Sequence, residues 1–440
     1  MCGIFVYIRK LKDMNRIIIV GNGFDLAHGL KTKYEDFINW YWKQCGYNLL
    51  HCSEKEMSDG LCSFKVKDRE NALSWAMAFR GWHYQRDNPF VKWNEIDALN
   101  TAVNDRDYCD FSIMSPLFQR ICKQMSLGWV DIENEYYSML VEYKGMKDEL
   151  EKLNKDLVVI QGLLVKYLKE IQKNEIKEEL VCDDIKSKML APFVAKDISV
   201  EAKDKWNDFL KRRYNDDNLK YNIEFYKPLD AVKRAKTVRK SLANDGQIRA
   251  MGIETIPGEF LPPDMLYPDC VMLLNFNYTN TADLYFDDEY FIINHIHGDL
   301  SLPESVIFGY GDESDDEYKK LQKINDNEYL RHIKTNRYLE TPNYRDLLSF
   351  IDSAPFQVCI MGHSCGLSDK TLLNTLFEHR NCVSIKPYYY INEQGKDNYL
   401  DIVQNISRNF TNPQLMRDRV VNKTYCEELP QVTRRQKEEE

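Results

Sequence analysis

Residues Arg16 to Val20 read RIIIV and run directly into Gly21-Asn22-Gly23. A continuous β-branched run of this kind is the pattern of a strand buried on both faces, as in a parallel sheet covered by helices on either side. After the glycines comes FDLAHGLKTKYEDFINWYW, where Tyr34, Phe37, Ile38 and Tyr41 fall at three- and four-residue spacings and predict a helix over 34–42. Comparable apolar runs return only after Pro257 and Pro262-Pro263. They predict strands at Val271–Phe276, Tyr290–Ile296, Val306–Phe308, Val358–Met361 and Asn381–Ile391. Ser368–Phe377 predicts a helix with Ser368 as its N-cap. Strands alternating with helices indicate an α/β fold built on a parallel sheet.

Between these two parts, from about 46 to 255, β-branched runs vanish and charged helical patterns take over. Met146, Leu150, Leu153, Leu157, Ile160, Leu164, Tyr167 and Ile171 alternate spacings of four and three, which predicts one long helix with a single apolar seam. Gly162 weakens an intermolecular coiled coil, so the seam is expected to pack on another helix of the same chain. The basic run Lys233–Lys240 reads as a solvated helix face. The expected organisation is therefore a split domain, 14–45 with 256–425, carrying a helical insertion at 46–255 and terminal extensions at 1–13 and 426–440. The opening Met1-Cys2-Gly3-Ile4-Phe5 resembles a class II glutamine amidotransferase start, but long antiparallel strands should follow there, and the buried-strand pattern at Arg16 does not fit.

Composition removes several functions. Lys plus Arg is 59 against 69 for Asp plus Glu, a net charge of −10, which argues against a general nucleic-acid coat. Mean hydropathy is −0.54 and no apolar run reaches the ~18 residues of a membrane span, so no membrane partner is expected and a cytoplasmic location is. The 12 cysteines contain no CxxC pair and read as small buried hydrophobes, so no metal is predicted.

Four polar motifs follow predicted strands, where ligands bind in open α/β sheets. Gly21-Asn22-Gly23-Phe24-Asp25 offers glycines for a sharp turn and close approach to a phosphate, without the third glycine of the dinucleotide fingerprint. Asn275-Phe276-Asn277-Tyr278-Thr279-Asn280-Thr281 concentrates amides and hydroxyls that a core tolerates only when hydrogen-bonded. His295-Ile296-His297-Gly298-Asp299 puts two imidazoles two residues apart, a spacing that suits metal ligation or acid–base work, with His297 beside Gly298 the better catalytic candidate. Gly362-His363-Ser364-Cys365-Gly366 spells the G-x-S-x-G nucleophile elbow. That chemistry needs a later histidine, and after Ser364 only His379 remains, inside the next helix. An esterase is therefore rejected, and Gly362 and Ser364 are expected to face the same ligand as the other loops.

Taken together, NRIIIVGNGFDLAHGLKTKYEDF, WVDIENEYYSML at 129–140, LLNFNYTNT, HIHGDL with IFGYG, and MGHSCGLSD resemble the AbiH family of phage abortive-infection proteins. That resemblance implies antiphage defence, with a phage protein as possible trigger and the insertion as the surface for a partner or a homo-oligomer. More distantly, the order of the motifs resembles the sirtuin-like, Rossmann-like NAD-binding fold. It implies a nucleotide, NAD, as substrate or ligand. By that resemblance His297 is the general base and Asn277 holds the nicotinamide ribose or the attacking water. Gly21, Asn22, Gly23, Asp25, Gly298, Gly362, Ser364 and Asp369 would bind the nucleotide. Thr279 stands where that pattern has an aspartate, Asn22 replaces a small residue, and the four-cysteine ribbon of deacylating sirtuins is missing, which points away from deacylation and leaves NAD hydrolysis. Two other functions stay open: a metal-dependent hydrolase or nuclease using Asp25, His295, His297 and Asp299, with His363 nearby, and a non-catalytic nucleotide-sensing, phage-binding module.

Overall fold

The computed structural model describes residues 13–51, 56–67, 103–104, 109–125, 131–215, 266–287 and 290–432. The expectations for residues 1–12, for Lys233–Lys240 and for the last eight residues lie outside the described residues.

Among the described residues, five of the eight strands form one all-parallel sheet: β1 (Asn15–Val20), β5 (Val271–Asn275), β6 (Phe291–His295), β7 (Phe356–Met361) and β8 (Cys382–Tyr388). Their order is β6-β5-β1-β7-β8, so β1 is central and the order reverses direction beside it. Every residue of β1, β5, β7 and β8 is buried, which is why these segments read as largely apolar runs, with the polar Arg16, Gln357, Ser384 and Lys386 buried among them. Successive residues supply opposite faces. Ile17, Ile19, Met272, Leu274, Val358 and Ile360 pack with Leu347, Phe350, Leu372, Leu376 and Ile406 from the helices Asn343–Ser353, Lys370–Phe377 and Tyr399–Arg408. Ile18, Val20, Leu273, Cys359 and Met361 pack with Phe24, Ala27, Ile185 and Met189 from the helices Asn22–Ala27 and Asp183–Met189.

Several expectations are corrected. Val306–Phe308 is buried but makes no strand. The helix begins at Lys370, with Asp369 rather than Ser368 at its N-cap position. The 426–440 extension starts too early: Leu429 is buried, and Tyr389 exchanges backbone hydrogen bonds with Glu427 and Leu429 beside the end of β8.

The chain divides into two units, one of Met1–Leu30, Glu175–Ile307 and Arg337–Glu440, the other of Lys31–Asn174 and Phe308–Asn336. The expected boundaries, 45/46 and 255/256, differ from these. The helix that starts at Tyr34 continues to His51, and Met189, Phe193, Trp206 and Phe209 pack within the sheet unit. The second unit is also less purely helical than expected. It holds the antiparallel strands β2 (Glu56–Ser58), β3 (Cys62–Val66) and β4 (Cys109–Ile113). Its long helix, Lys147–Glu175, buries the seam from Leu150 to Ile171 and leaves Met146 exposed. Tyr167 packs its ring on Phe37 and Trp40 of the helix Tyr34–His51, and Tyr136 of the helix Ile132–Glu142 donates to Asn154 at 2.8 Å. The seam is thus closed within the chain. Among the described residues no helix is long and apolar enough to cross a membrane.

Candidate functional site

The loops after β1 and β7 press against each other. The Gly23 amide donates to the Gly362 carbonyl at 2.7 Å, and the Gly21 amide to the Met361 carbonyl at 3.3 Å. A Cβ on Gly21 would lie 2.5 Å from the Cα of His363, and one on Gly23 would lie 2.7 Å from the Gly362 oxygen. These glycines therefore serve contact between two backbones. The Phe24 amide turns back to the Gly21 carbonyl at 2.8 Å, so the amides of Gly21, Gly23 and Phe24 are all bonded to protein carbonyls. An anion at this loop would need other donors. Asn22, between them, is exposed.

The polar end of β5 ties this corner together. Asn277 donates through Nδ2 to the Gly21 carbonyl at 3.1 Å, and its amide donates to Asn275 Oδ1 at 3.0 Å. Asn275, fully buried, donates to the Thr279 carbonyl at 3.0 Å. The Thr279 hydroxyl donates to Asp25 Oδ2 at 2.6 Å. Burial pushes the Asp25 carboxyl up to about 6, against the opposing pull of Thr279, Thr281 and Asn277. Oδ1 is buried without a hydrogen bond.

The two imidazoles expected to act as a pair have separate partners. His295 ends β6 and faces Asp283 Oδ1 at 3.1 Å. The chain then turns, and buried His297 meets the Tyr338 hydroxyl and Asp369 Oδ1, each 3.2 Å from Nε2. Tyr338 lies nearly parallel to the imidazole, at 9° between ring planes. Gly298 has φ +80, and a Cβ there would lie 2.1 Å from the Ser305 oxygen, so this glycine closes a tight turn; it does not open space for a ligand. Asp369 also reaches His363, whose Nε2 is 3.6 Å from Oδ2. The Phe276 ring packs between the two histidines, 5.0 Å from His297 and 4.3 Å from His363.

The nucleophile elbow is absent. Ser364 is exposed, and its carbonyl accepts from Asn405 at 2.8 Å. The left-handed non-glycine residue of the loop is Cys365 at φ 56, whose buried thiol is pushed up by desolvation. Among the described residues no three His, Cys, Asp or Glu side chains converge in a metal-holding arrangement. Of the residues singled out from sequence, Gly21, Gly23, Asp25, Asn277, His297, Gly362 and Asp369 are joined by these contacts, while Asn22 and Ser364 point to solvent. His363 entered only as a neighbour in the metal alternative, and Tyr338 was missed. Tyr338 lies in the polar stretch RYLETPNY, which carries no signal.

The chain is thus an α/β protein with a five-stranded parallel sheet and a polar cluster gathered at the carboxyl ends of β1, β5, β6 and β7. It belongs to the AbiH family: the model described as Bacteriophage abortive infection AbiH matches residues 17–390. No curated protein and no solved structure matches the chain.

Proposed function

We propose that this protein is an abortive-infection effector that hydrolyses NAD at a Rossmann-like, sirtuin-like site in the sheet unit. The observation that carries the reading is His297, buried at the end of β6 with Asp369 and Tyr338 on Nε2, close to the reversal of strand order. Ranked by chain position the order is 3-2-1-4-5, that of doubly wound dinucleotide-binding sheets, and ligands there lie at the reversal.

In the reaction, the bond between the ribose C1′ and the nicotinamide nitrogen breaks, and neutral nicotinamide leaves with the bonding pair. A water oxygen bonds to C1′, and its proton passes to His297. The leaving group starts cationic, so the site needs a positioned water and a base. Asn277 can present both donor and acceptor to the ribose or the water. The reading requires the cytoplasm, where NAD is held, and a phage protein as trigger. On this reading, assembly or partner binding belongs to the helical insertion expected at 46–255.

The test is NAD loss by wild type and three variants, in purified form and in infected cells. His297→Ala and Asn277→Ala are expected to lower the rate ~10²–10⁴-fold. Ser364→Ala, which removes only an exposed hydroxyl, is expected to change it little. Intact NAD in infected cells that are nonetheless protected would overturn the reading in favour of a non-catalytic sensor.

A further inference from the structure

The Asp369 carboxylate stands between two imidazoles, with His297 Nε2 3.2 Å from one oxygen and His363 Nε2 3.6 Å from the other. Asp369 occupies the N-cap position of the helix Lys370–Phe377, yet its side chain makes no capping bond. An aspartate there ordinarily accepts from the first-turn amides. Here the carboxylate is turned to the histidines.

His363 is itself held in one tautomer. Its Nδ1 accepts the Cys365 amide at 2.9 Å. A ring nitrogen that accepts carries no proton, so the ring proton sits on Nε2, the nitrogen that faces Asp369. The left-handed turn at Cys365, φ 56, brings that amide back onto the ring. The ring is walled by Phe276 at 4.3 Å and by the space that a Cβ on Gly21 would need. Nothing in these contacts requires Asp369 to touch a ligand.

We propose that Asp369 and His363 are positioning residues for His297. His363 turns its fixed N–H toward one carboxylate oxygen in a 3.6 Å electrostatic contact, and the carboxylate, so oriented, sets the rotamer and tautomer of His297 through the other. The proposal replaces the ligand-binding role expected for Asp369, and it rests on His297 being the base.

Two measurements on the full chain test it. The first is NAD turnover by Asp369→Asn, His363→Gln and His363→Leu. Positioning predicts that Asp369→Asn and His363→Leu lower kcat ~10²-fold with KM within a factor of about two, whereas a ligand contact would raise KM. His363→Gln keeps an N–H near the position of Nε2 and is expected to retain most of kcat. The second measurement needs no turnover. Nitrogen-15 spectra of labelled histidine report the tautomer of each ring and the folded state of each variant. The His363 proton is expected on Nε2, and the His297 signals are expected to change in Asp369→Asn. A His363 proton on Nδ1, or His297 signals unmoved by Asp369→Asn, overturns the proposal, as does a raised KM at unchanged kcat. Spectra as expected from a wild type that never consumes NAD would leave the positioning intact and remove the NAD reading.

Discussion

Gly362→Ala is the most exacting single perturbation of the site. The residue has φ +77, and an added Cβ would lie 2.0 Å from the Phe24 nitrogen and 2.4 Å from the Gly23 carbonyl carbon. Both atoms are backbone, so no side chain can swing aside. A left-handed conformation costs an alanine about 1–2 kcal/mol, and forcing extra atoms into a packed site costs a further 1–3 kcal/mol or so. The bond from the Gly23 amide to the Gly362 carbonyl would lengthen as the loops separate. A loss of about 2–5 kcal/mol is a large share of the ~5–15 kcal/mol by which domains are stable. For a unit of this size it lowers the thermal midpoint by something on the order of 5–15 °C. Gly366→Ala is the matched control in the same loop. Gly366 has φ −66, and its added Cβ would meet only the Ser364 hydroxyl oxygen, at 3.6 Å. Calorimetry of the two variants beside wild type should give a large drop for the first and almost none for the second. Equal midpoints for all three would refute the close loop contact, and with it the reason for glycine in both loops.

Asp25→Asn should change how stability depends on pH. As pH rises from the ordinary value of 3.8 to about 6, the unfolded chain loses this proton and the fold keeps it. Wild-type stability therefore falls across that window and levels off above it, by on the order of 3 kcal/mol from this group. The asparagine variant lacks that contribution, so a stability difference that stays flat from pH 4 to 6 in denaturant titrations would contradict the buried acid. Leu157→Asp puts a carboxylate at a fully buried seam position and should cost more than about 4 kcal/mol, read as early loss of helical circular dichroism; unchanged melting would count against the closed seam.

The strands of the main sheet were legible because burial on both faces removes polar breaks, and four of the five runs end within two residues of their expected limits. The site was legible where polar residues had to follow such a run, as at Asn275 and Asn277. What stayed hidden depends on distant contacts. His363 read as part of a serine motif, because nothing in GHSCG announces that its ring meets an aspartate six residues on. The strands β2 to β4 are three to five residues long, too short for a periodic signal, and pair through contacts such as Phe64 with Phe111. The segment 183–215 looked like part of the insertion because its apolar residues, Met189, Phe193 and Trp206, are spaced for helices and loops that lean on strands encoded elsewhere.

The central place of β1 has a consequence for synthesis. Val20 pairs with Asn275 and Met361, which are 255 and 341 residues further along the chain (275 − 20 and 361 − 20). At ~5–20 residues per second, ribosomes need roughly 17–70 s to supply both neighbours. Throughout that interval a six-residue strand that is wholly buried in the finished protein lacks at least one of its two partners. It must be sheltered by transient collapse or by a chaperone, and slow codons downstream would lengthen its exposure. The same threading makes the site indivisible. A chain cut short before Asp369 retains Gly21, Asn277 and His297 but not the carboxylate that meets His297, so no product ending there or earlier carries the complete cluster.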